Sequence, residues 1–372
     1  MNPNYDPIIN KCSTFLDSLF NRNQDMDTFA KPTRAQIIKS AKTLSHEITK
    51  ISLLLADLRA KTEYFSSIEE TLDNVFSIYQ GLSAYAGASL FRAIQIYFRK
   101  LIKSTQEVFI AYQNNEQSLG DDEENTISKQ ITGLAWKCCE EFEKVPIKNS
   151  NSIIARGEEI SSLIQDALDE VKEFQTKIKN IEKKFGEVTS EKQEISKDGT
   201  VVIDGESSID KDSNDKKNDD VNGEFEKEDE DQDYQDEEDD EDYDDDDVEL
   251  LNSLTSEDIK LVDRIVSIIE RSTKISQLWV EMLKSINKPS DEEIDFTSEQ
   301  IEISESVISQ INELSKNVDD IASAIYPLPN ISYCEAQLSL LDVSIKNIID
   351  KINSNFKLFN FNSKFENKLK SI

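Results

Sequence analysis

Residues 307–329 read VISQINELSKNVDDIASAIYPLP. The apolar positions Val307, Ile311, Leu314, Val318, Ile321 and Ile325 step by 4,3,4,3,4. That spacing holds one seam on one face of a helix, and such seams pack against neighbours at a crossing angle of about 20°. Pro327 and Pro329 then break the pattern, because proline lacks an amide donor and pushes the residue before it out of helical geometry. The next segment begins near Asn330 and carries the same seam at Cys334, Leu338, Leu341, Ile345, Ile348 and Ile352. The spacing predicts an antiparallel hairpin in which Val318, Ile321 and Ile325 face Leu338, Leu341 and Ile345. It predicts a corner with an embedded Tyr326, and nothing in it calls for catalysis.

The period recurs along the chain. Ile37, Ala41, Leu44, Ile48, Ile51, Leu55 and Leu58 follow it, as do Ile160, Ile164, Ala167, Val171, Phe174, Ile178, Ile181 and Phe185. Any one seam could serve as a zipper-like dimer face, but seams repeated between turns favour an intramolecular bundle. Helices are predicted near 6–21, 33–64, 66–82, 88–114, 123–143, 150–186, 256–287, 297–326 and 331–356, with a weaker one after. Pro32 and Thr33 suit a helix start, and Thr255 with Asp258 and Ser290 with Glu293 have capping-box spacing or close to it. SLFRAIQIYFRKLI, 89–102, is apolar around most of its circumference and is placed centrally in an N-terminal bundle. Glycine is scarce, at nine in 372 residues, which also points to an all-α chain.

The net charge is −33. Residues 224–249 hold 19 acidic residues against one lysine, a net −18 that leaves −15 for the rest. Direct nucleic-acid binding is not expected of such a surface, since phosphate contact needs clustered Lys and Arg. Residues 187–252 are too poor in aliphatic side chains to offset the entropy of folding and are expected to be a disordered acidic linker. The expected organisation is an N-terminal bundle at 1–186, the linker at 187–252 and a C-terminal bundle at 253–372. Helix 150–186 leads into the linker and could be shared with the second bundle. No leader-like or membrane-spanning run is seen, and the four cysteines fit free thiols in a reducing compartment.

Little in the sequence speaks for an enzyme. His46 is the only histidine and sits off its helix seam. No HExxH, GxGxxG or phosphate loop occurs. DKDSND, 210–215, starts like a calcium loop but carries Asp215 where glycine is required and Val221 where glutamate is. No metal and no cofactor is therefore expected. Cys138 is read as lining a seam with Ile127, Ile131 and Leu134. Trp136 and Trp279 are read as core residues, though a tryptophan partly open at a bundle groove would make a good partner anchor. The acidic run is read first as a solvating spacer, and second as a decoy for basic partners.

Two stretches resemble a known family. LAWKCCEEFEKVPIKN, 134–149, is similar to an element of the cyclin-D1-binding protein family, also called cyclin-D-interacting or maternal Id-like, through Trp136, Cys139, Val145, Pro146 and Asn149. VDDIASAIYP, 318–327, is similar to a second element through Val318, Asp319, Asp320, Ala322, Ile325, Tyr326 and Pro327. The resemblance implies helical bundles like those of vinculin and α-catenin, no enzymatic activity, and partners among D-type cyclins and helix-loop-helix factors. It also implies restraint of cell-cycle entry and a place in both nucleus and cytoplasm, with the matched residues architectural. The bundle pattern alone fits a cytoskeletal adaptor equally well, and the acidic run fits a chaperone for basic proteins. Oligomeric state is left open.

Overall fold

The computed structural model describes residues 5–21, 29–56, 65–115, 122–194, 254–287, 295–326 and 329–372. Among them every regular element is a helix and no strand occurs, so the protein is all-α. The helices are α1 (Asp6–Ser18), α2 (Arg34–Ala56), α3 (Phe65–Tyr85), α4 (Ala88–Asn115), α5 (Asp122–Phe142) and α6 (Asn149–Glu194). They continue with α7 (Ser256–Ile286), α8 (Ser298–Ser323), α9 (Ile331–Ser354) and α10 (Ser363–Lys370). The described residues divide between two compact units, those of 1–172 with 261–372 and those of 173–260.

Within the first unit, α1–α5 close into a ring: α5 packs on α2, α2 on α3, α3 on α1, α1 on α4 and α4 on α5. α4 also touches α3, so it borders three helices. That position buries Leu90, Ile94, Phe98, Leu101, Ile102, Val108 and Phe109, as its near-continuous apolar surface requires. Phe98 meets Phe142 edge-on at 4.7 Å and Tyr79 at 5.3 Å. Tyr79 donates its hydroxyl to the Leu19 carbonyl at 2.8 Å, which gives a buried phenol its acceptor. α2 starts where Thr33 and Gln36 cap each other reciprocally.

The rest of the first unit is a second bundle built of α6 with α7, α8 and α9. Arg156 on α6 bonds Asn312 on α8 at 2.7 Å, and Lys284 and Glu270 on α7 pair with Glu158 and Lys172 on α6. Gly157 is required at this crossing. A Cβ there would lie 2.7 Å from Val280 and 3.1 Å from Ile308. α8 and α9 pack as the hairpin foreseen, with Val307, Ile311, Leu314, Val318, Ile321 and Ile325 wholly buried together with Leu341 and Ile345. Trp279 is buried against Phe359 and Phe361 in the turn before α10, the rings edge-on.

Several expectations are corrected. The seam of α5 lies one residue further on, at Thr132, Ala135, Cys139 and Phe142. Leu134 is 56% exposed and Cys138 half-buried, because α5 wedges between α2 and α4 and buries the arc facing both. The side chain of Ile127 lies outside what is described. α8 is capped by a Thr297–Gln300 capping box, and Ser290 with Glu293 lies outside the described residues. α6 runs to Glu194, eight residues beyond the helix end expected near 186, carried by the helix-favouring Glu, Lys and Gln of that stretch. In the second unit Glu173 pairs with Lys177, and Thr255 with Asp258 caps α7 as expected. Residues 195–253, with the rest of the expected linker and the whole acidic run, lie outside the described residues.

Candidate interaction surface

A helix N-terminus presents four unbonded amides and a partial positive charge. In this protein two such ends are closed by carboxylates from distant parts of the chain. Asp295 accepts hydrogen bonds from the backbone amides of Asn149 and Ser150 at the start of α6, each at 2.9 Å, and from Phe296 at 2.9 Å. Burial opposes ionisation of Asp295, but the amide donors of Ser150, Asn149 and Phe296 outweigh it and hold the carboxyl below the usual carboxylate range. Glu305 on α8 accepts from the amide and the hydroxyl of Ser89, both at 2.8 Å, at the start of α4. Asn149 joins the two ends. Its carboxamide oxygen accepts from Gly87 and its nitrogen donates to the Tyr85 carbonyl at 3.0 Å. Gly87 has no room for a side chain, since a Cβ would stand 2.8 Å from Glu305 and 3.0 Å from both Asn149 and Ile301.

This junction is structural chemistry, and the other reactive groups are equally quiet. Cys12, Cys139 and Cys334 are buried. Burial pushes the Cys12 thiol up to about 12, against the pull of Lys11, and burial pushes Cys139 to about 12 as well. His46 is exposed on α2, off the seam. Among the described residues no group of His, Cys, Asp and Glu is placed to hold a metal ion. No helix among them is long and apolar enough to cross a membrane.

The exposed apolar side chains are the remaining candidates. On α5, Trp136 is 39% exposed, so it departs from the core role expected of it, whereas Trp279 keeps that role. On α9, Tyr333, Leu340 and Val343 stand outward at 41%, 52% and 57% exposure. Sequence reasoning missed this second stripe. Its signal was present as a spacing of Tyr333, Ala336, Leu340, Val343 and Asn347 parallel to the buried seam, but sequence alone does not show that this face lacks a cover.

The residues singled out from sequence are not one cluster. Cys139 lies in the α5 core and Asn149 in the junction. Pro146 is half-buried in the turn from α5 to α6, beside Val145, whose carbonyl accepts from Arg34 at 2.7 Å. Asp319 and Asp320 are exposed on the outer face of α8, and the Asp320 carbonyl accepts from Ala324 at the helix end. Ile325 is buried. Tyr326 is exposed and not embedded; its hydroxyl reaches out to the Glu170 carbonyl at 3.3 Å. Pro327 lies outside the described residues.

Residues 36–177 match the family described as Grap2 and cyclin-D-interacting, N-terminal, and residues 228–350 match its C-terminal counterpart. Together the two matches span well over half of the chain, and the motif stretches at 134–149 and 318–327 fall one in each. No curated protein matches the chain.

Proposed function

The chain belongs to the Grap2 and cyclin-D-interacting family, and on that premise we propose that it is a non-enzymatic regulator that binds a D-type cyclin and restrains cell-cycle progression. The observation that carries the reading is the family match over both halves. The quiet chemistry of the thiols and the interlocked bundles support it, because they leave rigid helix surfaces as the working parts. Trp136 is the anchor we assign to the cyclin. It stands partly open on α5, and tryptophan is among the residues enriched at the energetic centres of protein interfaces. Helix-loop-helix factors are a second class of partner. A factor paired with a chain so poor in clustered Lys and Arg would be held off DNA, which suits a negative regulator. Action in nucleus and cytoplasm is part of the same proposal.

The test is capture from native lysate with the full-length chain. Recovery of a D-type cyclin, reduced at least tenfold by Trp136→Ala, is the expected result. Recovery without any cyclin or transcription factor would count against the reading. Co-sedimentation with actin filaments would move the protein to the adaptors. Salt-sensitive capture of basic proteins, lost when 224–249 is deleted, would mark a chaperone.

A further inference from the structure

Trp136 stands at the edge of a groove between two helices. α5 runs antiparallel to α2: Arg34 donates to the Glu143 and Val145 carbonyls at 2.8 and 2.7 Å, and the hydroxyls of Ser52 and Thr132 lie 3.4 Å apart. That pairing sets Trp136 level with the middle of α2, near Lys42. Trp136 follows Thr132 by one turn, so it shares the flank of α5 that faces α2. On α2, Ile38, Lys42, Ser45 and Thr49 lead by steps of 4,3,4,3 to Ser52, so they share the flank that faces α5. Lys129 lies two turns before Trp136 on its flank, and Lys137 and Lys144 stand further out on α5. A Cβ added to Gly133, one turn before Trp136, would meet nothing within 4 Å, so the groove is open there.

Lys42, Lys129, Lys137 and Lys144 are exposed, and none of them is in an ion pair among the described residues. Of the acids on this stretch of α5, Glu141 is taken by Lys100 of α4, and Glu140 and Glu143 remain. In the second bundle, by contrast, Lys172, Arg264, Arg271, Lys284 and Lys368 each hold a carboxylate. Acids outnumber bases by 75 to 42 in the chain. Yet residues 28–46 and 88–106, which supply the first half of α2 and most of α4, hold four bases each and no acid. The helices on either side of α5 thus give an acidic protein a positive side.

We infer that this groove takes an acidic peptide segment of the partner, with one large apolar side chain against the Trp136 ring and carboxylates on either side of it reaching Lys42, Lys129 and Lys137. The inference rests on the reading of Trp136 as the partner's anchor, and it gives that partner its chemistry. Charge complementarity selects the occupant. The field of a few lysines reaches about 8 Å at physiological ionic strength, far enough to hold one bound segment. A duplex or an anionic bilayer would meet the rest of the molecule as well, and a net charge of −33 repels it. Lysines strung singly along a groove also fall short of the dense cluster that a phosphate backbone needs.

Fluorescence anisotropy tests it, with the full-length chain titrated into a labelled peptide of Asp, Glu and Ser around one central phenylalanine. Binding should weaken as salt is raised. It should fall at least tenfold with Trp136→Ala, and at least tenfold with Lys42→Glu and Lys137→Glu combined, at unchanged helical ellipticity. Lys346→Glu, on α9, removes the same kind of charge elsewhere and should leave binding as it was. A peptide with serine in place of its phenylalanine should bind more weakly. An absence of binding overturns the inference, as does binding indifferent to the Lys42 and Lys137 reversals or weakened as much by Lys346→Glu. Duplex DNA or anionic vesicles held as tightly as the peptide overturn it too. No cyclin enters this assay. Failure to capture a cyclin would leave the peptide result standing, whereas a cyclin held through Trp136 but indifferent to the lysine reversals would defeat this inference alone.

Discussion

Replacing Asp295 removes a cap that one part of the chain lends to another. Its carboxylate accepts three backbone amides at 2.9 Å, two of them at the start of α6, and its side chain is only 15% exposed. Loss of a helix cap typically costs about 0.5–2 kcal/mol, and a hydrogen bond to a charged group contributes about 1.5–3 kcal/mol. Since three amides share one carboxylate and water reaches part of it, Asp295→Ala should cost about 3 kcal/mol, and Asp295→Asn, which keeps one acceptor, about half of that. Urea unfolding followed by far-UV ellipticity reads the loss directly. The pH dependence provides a second check. The folded carboxyl titrates below its usual range, so its contribution is complete above the unfolded value and is lost as pH falls through the folded one. The gap between wild type and Asp295→Asn should stay constant from neutral pH down to about pH 5 and narrow below about pH 4. Unfolding of Asp295→Ala within about 0.5 kcal/mol of wild type would refute the reasoning, as would a gap that does not narrow in acid.

Other substitutions follow from the same geometry. Gly87→Ala forces a Cβ to within 2.8 Å of Glu305 and should destabilise by about 1–3 kcal/mol in thermal unfolding. Gly133→Ala has open space around it on α5 and should stabilise by about 0.5–1 kcal/mol. Thiol titration of the native chain near neutral pH should modify Cys138 well ahead of Cys12, Cys139 and Cys334, whose burial raises their thiol pKa values, and all four should react in denaturant. Iodide should quench about half the tryptophan fluorescence by way of Trp136, and Trp136→Phe should leave an emission that iodide barely touches, since Trp279 is fully buried.

Most of the fold was legible in the sequence where the information is local. The seam of α8 needed only the spacing of Val307 to Ile325, and each of its residues is wholly buried. The Thr255–Asp258 cap was equally local. What stayed hidden depends on partners remote in sequence. Asp295 reaches Asn149 across 146 residues, and no local pattern marks an aspartate as the cap of someone else's helix. Asn149 stood out through resemblance, but its role became clear only with Tyr85, Gly87 and Asp295 around it. The register of α5 was misread because a helix wedged between two neighbours buries an arc that two stripes, offset by one residue, describe almost equally well. Trp136 was misassigned for the same reason. The outer stripe of α9 was readable as a spacing, yet exposure is a property of the whole assembly of helices.

The function proposed for this helical chain is to hold a D-type cyclin. Calorimetric titration of a purified D-type cyclin into the purified full-length chain tests this most directly. The expected result is saturable binding of one cyclin per chain, weakened at least tenfold by Trp136→Ala. An absence of binding with both proteins intact and at concentrations of about 100 μM would contradict it.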